Sequence, residues 1–161
     1  MQKTEKNIIK KRVAPFAEVW ECSVTQSKSL HTTAEFEDGQ IIANFSPKEI
    51  LDSPSYLTVQ IGEHQHIMLD PEFLQYINHS CAPNVFFDTK NRILITLRKI
   101  EIGEELKFFY PSTEWSMDRG FNCICQSENC LGYIQGAAHI PLNILTKYKL
   151  SQYIQQKLNG L

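Results

Sequence analysis

Tyr76-Ile-Asn-His-Ser-Cys-Ala-Pro-Asn84 is the stretch that decides how the rest of this chain is read. It is too polar for a core strand and too dense in side chains of fixed chemistry for a passive loop. Asn78 offers an amide, His79 an imidazole, Cys81 a thiol and Pro83 a locked φ. Downstream, Cys123-Ile-Cys125-Gln-Ser-Glu-Asn-Cys130 holds three more thiols within eight residues. Three thiolates this close can occupy three corners of a tetrahedral zinc, and Cys81 is the natural fourth ligand. A strained Cys123–Cys125 disulfide or unliganded thiols are the alternatives; an odd total of five cysteines, three of them clustered, favours the metal. The remaining cysteine, Cys22, sits in a strand pattern and reads as a small buried hydrophobe.

The 161 residues suit one domain with a real core, and 42% hydrophobic with 21% charged residues is ordinary for a soluble protein. A net charge of −2 gives no electrostatic case for direct nucleic-acid or membrane binding. No apolar run approaches a membrane span, and the start, with Lys3, Lys6, Lys10 and Lys11, lacks the apolar segment of a signal peptide. These features predict an intracellular protein, cytoplasmic or (in a eukaryote) nuclear, whose thiols stay reduced.

The pattern along the chain is mostly β. Met1 to Arg12 reads as a polar tail, and Ala17 to Val24 as a strand. Ser27 to Phe45 reads as turn, strand, turn, strand, with Gly39 supplying a positive φ; the same cadence returns at Gly103 before Leu106, Phe108 and Tyr110. Pro47, Asp52, Ser53 and Pro54 punctuate a loop or short helical turn. Tyr56 to Ile61 and His66 to Leu69 read as paired strands across Gly62. Asp70 is read as an N-cap, with Pro71 opening a short helix that delivers the chain into Asn78. Val85 to Asp88 and Ile93 to Ile100 form a hairpin, Pro111 to Phe121 is irregular, and a stripe of Leu142, Leu145, Tyr148, Ile154 and Leu158 predicts a helix after Pro141. The count is about eight strands with two or three short helical pieces.

Asn78 to Asn84, reading Asn-His-Ser-Cys-x-Pro-Asn, resembles the signature of SET-domain protein lysine methyltransferases. Gly103-Glu-Glu-Leu-Lys-Phe-Phe-Tyr110 resembles that family's Gly-Glu-Glu-Leu-Thr-Phe-Asp-Tyr, and the cysteine trio followed by Leu131-Gly-Tyr133 resembles its post-SET module. The resemblance implies a mostly β, SET-like fold of several small sheets with a threaded signature segment, a post-SET zinc site and a C-terminal helix. It implies zinc on Cys81, Cys123, Cys125 and Cys130, and S-adenosylmethionine as cofactor, with Asn78, His79, Ser29, Leu30, Tyr110 and Leu131 as its contacts. It implies transfer of the cofactor's methyl group to a lysine amine on a protein or peptide. Tyr110 would position the amine, and Phe108 would set product number toward di- or trimethylation by leaving out a water-holding hydroxyl. Tyr56 is a further candidate for the lysine channel. The implied division is a tail over 1–15, a SET domain over 16–112, a post-SET module over 113–136 and a helix over 137–161.

The chain departs from the pattern at Ser27-Lys-Ser29, where the family carries Gly-x-Gly beside the cofactor, and at Phe109, where the family often has an acid. Two readings stand besides the enzyme: a catalytically weak SET-like binding module, motivated by Ser27 and Ser29, and a plain zinc-stapled interaction domain without cofactor. The segment between Gly39 and Tyr76 is too short to read substrate identity.

Overall fold

The computed structural model describes residues 7–160. Along the chain, the strands are β1 (Ile8–Ala14), β2 (Ala17–Cys22), β3 (Lys28–Thr32), β4 (Ile41–Asn44), β5 (Ser46–Leu51), β6 (Val59–Gly62), β7 (Gln65–Asp70), β8 (Asn78–His79), β9 (Val85–Asp88), β10 (Ile93–Thr96), β11 (Lys107–Phe108), β12 (Phe121–Asn122) and β13 (Tyr133–Ile134). They assort into five small sheets: β1-β2-β3, β4-β10-β9 and β5-β7-β6, all antiparallel, the parallel pair β8-β11, and the hairpin β12-β13. The architecture is mostly β with short helices. No helix among the described residues is long and apolar enough to cross a membrane.

The turns that punctuate these strands follow from local chemistry. Gly39 and Gly103 take φ of 73° and 90°, the left-handed region where a side chain would be strained. One core gathers the inward residues of the sheets, with Leu30, Ile67, Leu74, Ile77, Phe87, Leu94 and Leu106 among its most buried members. A second, smaller core joins Phe109 to Leu145, Leu150, Tyr153 and Ile154 of the C-terminal tail.

Several expected elements differ. The tail is a strand from Ile8 onward, paired with β2 from Ile8 to Ala14 with a bulge between Arg12 and Ala14. Most of its side chains are exposed, so no hydrophobic period marks it; backbone hydrogen bonds and the Lys10 ammonium, 3.9 Å over the Trp20 ring, hold it instead. Met1 to Lys6 lie outside the described residues. Pro47 is inside β5, tolerated because β5 is an edge strand whose register shifts between Pro47 and Glu49. Tyr56 does not begin a strand: Ser55 and Thr58 close a turn on each other, and β6 starts at Val59.

Asp70 ends β7 by pairing with Ser46, so it cannot cap a helix. Pro71 flanks a 3-10 helix over Glu72–Tyr76 instead of opening an α-helix. The hairpin's second strand ends at Thr96, and Ile100 pairs separately with Phe36. The single C-terminal helix is two, α1 (Leu142–Leu145) and α2 (Gln152–Asn159). Ser151 caps α2 through Ile154 N–H and anchors its start by donating its own N–H to the Ser112 carbonyl.

Candidate active site and metal centre

The signature segment is clamped against β11 by main-chain hydrogen bonds and by the side-chain amide of Asn84. Beyond the parallel β8-β11 pairing, Ser80 N–H donates to the Phe108 carbonyl and Asn84 N–H to the Lys107 carbonyl, both at 3.0 Å. The Asn84 amide donates to the Glu105 carbonyl at 2.9 Å and accepts from Lys107 N–H at 2.8 Å. Asn78 reaches the other way, donating to the Lys28 carbonyl of β3 at 2.9 Å. One amide side chain thus joins the first sheet to the signature.

Cys81 leaves this segment fully buried, and the later trio comes back to it. The four Sγ atoms of Cys81, Cys123, Cys125 and Cys130 all lie within 4.8 Å of one another, with Cys81 and Cys123 at 3.9 Å. A four-thiolate zinc with bonds of about 2.3 Å separates its sulfurs by about 3.8 Å, so these donors fit that geometry. Burial pushes the Cys81 thiol up, which disfavours a lone thiolate and suits a cation as its partner. The Leu131 N–H points at Cys81 Sγ at 3.4 Å, and the Tyr148 hydroxyl and Asn129 amide both donate to the Cys81 carbonyl.

His79 connects this cluster to Tyr110. Tyr110 N–H donates to Nδ1 at 3.1 Å, which leaves Nε2 protonated and facing Cys81 Sγ at 3.4 Å. Burial, with Lys107 adding to it, holds the imidazole down to about 4, so the ring is neutral.

Tyr110 lines an apolar pocket of about 90 Å³ together with Phe108, Ile77, Leu69, Leu74 and Phe87. Its phenol packs at 4.7 Å from Phe108, edge-on to Phe121 at 5.8 Å, and donates weakly to the Ile77 carbonyl at 3.4 Å. Burial raises its titration, keeping it a neutral phenol. A second, more polar cleft adjoins this pocket, sharing Tyr56, Leu57 and Gln75 with it and adding Ser27, Lys28, Tyr76 and Asn78. Tyr56 stands at the junction, 84% exposed.

All the candidate residues but Ser29 and Leu30 fall in three places. Tyr110 and Phe108 face the apolar pocket, Asn78 faces the polar cleft, and His79, Leu131 and the four thiols gather at the cysteine cluster. Ser29 sits in β3 opposite Trp20, its hydroxyl engaged with His31 Nε2 at 3.0 Å. The Leu30 side chain is in the core and its carbonyl is taken by Leu106 N–H, so it reaches neither cavity. Phe109, the other departure from the family pattern, stacks on Tyr148 at 3.7 Å, which is how the tail docks over the site.

Sequence reasoning missed Glu114. This carboxylate is 6% exposed and lines the apolar pocket, where Gln60 N–H and the Thr113 hydroxyl both donate to Oε2, at 3.0 and 2.6 Å. Nothing in an irregular polar stretch marks one acid for burial. Only its spacing four residues after Tyr110 could have drawn attention.

Residues 7–111 match the SET domain family. The methyltransferase flvH of Aspergillus flavus is 41% identical over 108 residues, covering 66% of this chain and 60% of that protein. An H3 lysine-4 specific histone-lysine N-methyltransferase of Emericella nidulans is 40% identical over 67 residues, 37% of this chain and 6% of that protein. The chain thus spans about 60% of the length of the first relative and a small part of the second. The crystal structure of KRYPTONITE in complex with mCHH DNA, H3(1-15) peptide and SAH shares the fold at a TM-score of 0.56 and 19% identity, over 76% of this chain and 30% of that one.

Proposed function

This chain belongs to the SET-domain family, and we propose from that premise that it is an S-adenosylmethionine-dependent protein lysine N-methyltransferase. The observation that carries the reading is the adjoining pair of cavities: a polar cleft bordered by Asn78 and the Ser27–Lys28 backbone, opening onto an apolar pocket walled by Tyr110 and Phe108. Relatives named as methyltransferases support it.

The cofactor, when bound, supplies an electron-poor methyl carbon on a sulfonium. Asn78, Ser29 and the backbone beside them would hold it, with His79 and Leu131 supporting that wall and Tyr110 at its inner end. Leu30, whose side chain is in the core and whose carbonyl is taken by Leu106 N–H, is left out of this contact set. Phe108, Ile77 and Leu74 exclude water around the incoming side chain. A desolvated amine loses its proton more readily than one in water, where its ordinary value is near 10.4. Tyr110 is a neutral phenol fixed at both its backbone and its hydroxyl, so it positions the nitrogen and does not act as a base. Alignment of nitrogen, carbon and sulfur supplies much of the rate. Phe108 leaves room for a second and third methyl group, so we read the product as di- or trimethyllysine.

Cys81, Cys123, Cys125 and Cys130 would hold a structural zinc. The β12-β13 hairpin brackets the last three and supports reading 113–136 as a post-SET module, between a SET portion ending near 112 and the tail over 137–161. The substrate would be a protein or peptide inside the cell, nuclear if the source is a eukaryote. Incubation with labelled cofactor and a lysine-rich protein mixture tests the reading. Label on lysine is expected, and none with zinc-loaded protein would leave the binding-module alternative.

A further inference from the structure

Glu114 has features that the proposed reaction as described does not use. A buried carboxylate is normally paired with a cation, yet no ion pair among the described residues involves Glu114. Both donors that reach its side chain, Gln60 N–H and the Thr113 hydroxyl, converge on Oε2. The residue is locked from behind: Ala137 N–H donates to its carbonyl at 2.8 Å, and Ala138 N–H to the Trp115 carbonyl at 2.9 Å. Gly136 makes that clamp possible, because a Cβ there would sit 2.5 Å from the Trp115 carbonyl oxygen. The result is a rigid, half-satisfied anion in the wall of the pocket that contains Tyr110.

Resting on the lysine-methyltransferase reading, we propose that Glu114 receives the ammonium of the target lysine and takes its proton. The N–H bond breaks, an O–H bond forms at Oε1, and nitrogen keeps the lone pair that then forms the bond to the methyl carbon, while the bond from that carbon to the sulfonium breaks and its pair stays on sulfur, which leaves as a neutral thioether. The proton leaves to solvent when the product departs. The chemistry is balanced because the transferred methyl cation restores the positive charge on nitrogen. Burial supports the role by raising the Glu114 carboxyl to about 7, nearer to an amine than an ordinary carboxylate stands. The other ionisable groups lining the pocket are Tyr56, Tyr110 and, exposed at its mouth, Asp118 and Arg119.

The test uses zinc-loaded protein, labelled S-adenosylmethionine and H3(1–15) peptide. For Glu114→Gln, which keeps an acceptor for Gln60 and Thr113, kcat is expected to fall at least tenfold. The wild-type rate should level off above pH 7, whereas the variant rate should climb past pH 9 as the ammonium must lose its proton unaided. A uniform loss with an unchanged pH profile overturns the proposal. Should the variant not fold, binding to wild-type protein decides. The preference for the lysine peptide over its norleucine counterpart should grow about tenfold from pH 6 to pH 8, following the ionised fraction of a group near 7. A preference indifferent to pH, absent binding included, overturns it. Wild-type protein that shows this preference but transfers no methyl group would sink the proposed function and leave the cation-binding role standing.

Discussion

The backbone N–H of Tyr110 donates to Nδ1 of His79 at 3.1 Å, and the opposite ring nitrogen faces Cys81 Sγ at 3.4 Å. One imidazole thus ties the phenol of the pocket to the cluster of thiols. Replacing His79 with alanine leaves a part-buried N–H without its acceptor, at a cost of about 1–3 kcal/mol. It also removes an outer support of the proposed zinc site, an effect usually worth roughly 10–100-fold in metal affinity or activity. We expect a Tm several degrees lower and weaker zinc retention in competition with a chelator. An unchanged melt would refute the coupling.

Zinc removal should be felt well beyond the cysteines. The cluster joins Cys81 to a segment some forty positions later, and that segment carries Phe121, Leu131 and the Asn129 contact to Tyr148. Structural zinc sites contribute several kcal/mol or more to folding. Cys130→Ser, or chelation of the wild type, should drop metal content below about 0.2 per chain and lower Tm by roughly 10 °C or more, at about 2–4 °C per kcal/mol. Metal analysis beside a thermal melt checks both.

Much of this was legible because the chemistry is local. The signature, the three close thiols and the turns at Gly39 and Gly103 each carry their reason in a few consecutive residues. β1 was not legible, since a strand exposed on most positions leaves no alternation and depends on its partner for hydrogen bonds. The break between α1 and α2 was hidden for a related reason: Tyr148 completes a helical stripe in sequence, yet its hydroxyl is drawn to the Cys81 carbonyl. Glu114 was invisible because its burial is decided by Gln60 and by the chain near Gly136, both distant in sequence.

Phe108→Tyr should shift product number. The ring is edge-on to Phe87 at 4.8 Å and 4.7 Å from Tyr110, so an added hydroxyl lands among apolar neighbours and can hold a water where a methyl group would go. Mass spectrometry of the product should change from di- and trimethyl to monomethyl lysine. Identical product distributions would remove Phe108 from this role.

Ser29→Gly should strengthen cofactor binding while costing stability. Removing the side chain breaks the contact to His31 and restores the glycine that the family carries at this place. Glycine within β3 costs about 0.5–1 kcal/mol, so a Tm lower by roughly 1–4 °C should accompany a tighter Kd for S-adenosylmethionine by calorimetry. A Kd that does not move would mean the serines are already compatible with the cofactor.

Stability should depend on pH through Glu114 in the direction opposite to most carboxylates. Its folded-state value is raised to about 7, first by burial and against the opposing bonds from Thr113 and Gln60, while an unfolded glutamate titrates near 4.5. The folded chain therefore holds a proton that the unfolded chain gives up between those values. The contribution is complete below about 4.5, shrinks as pH rises, and is gone above about 7, where the buried carboxylate is charged. The loss is on the order of 3–4 kcal/mol, since the two values differ by about 2.5 units and each pKa unit is worth about 1.4. Glutamine cannot ionise, so Glu114→Gln should melt higher than wild type at pH 8 relative to pH 5, by several degrees. Comparing the two proteins cancels other titrations, including that of His66, which burial lowers and which acts in the opposite sense. Melting curves at both values of pH provide the check: a wild-type minus variant difference that stays constant means the Glu114 carboxyl is not raised.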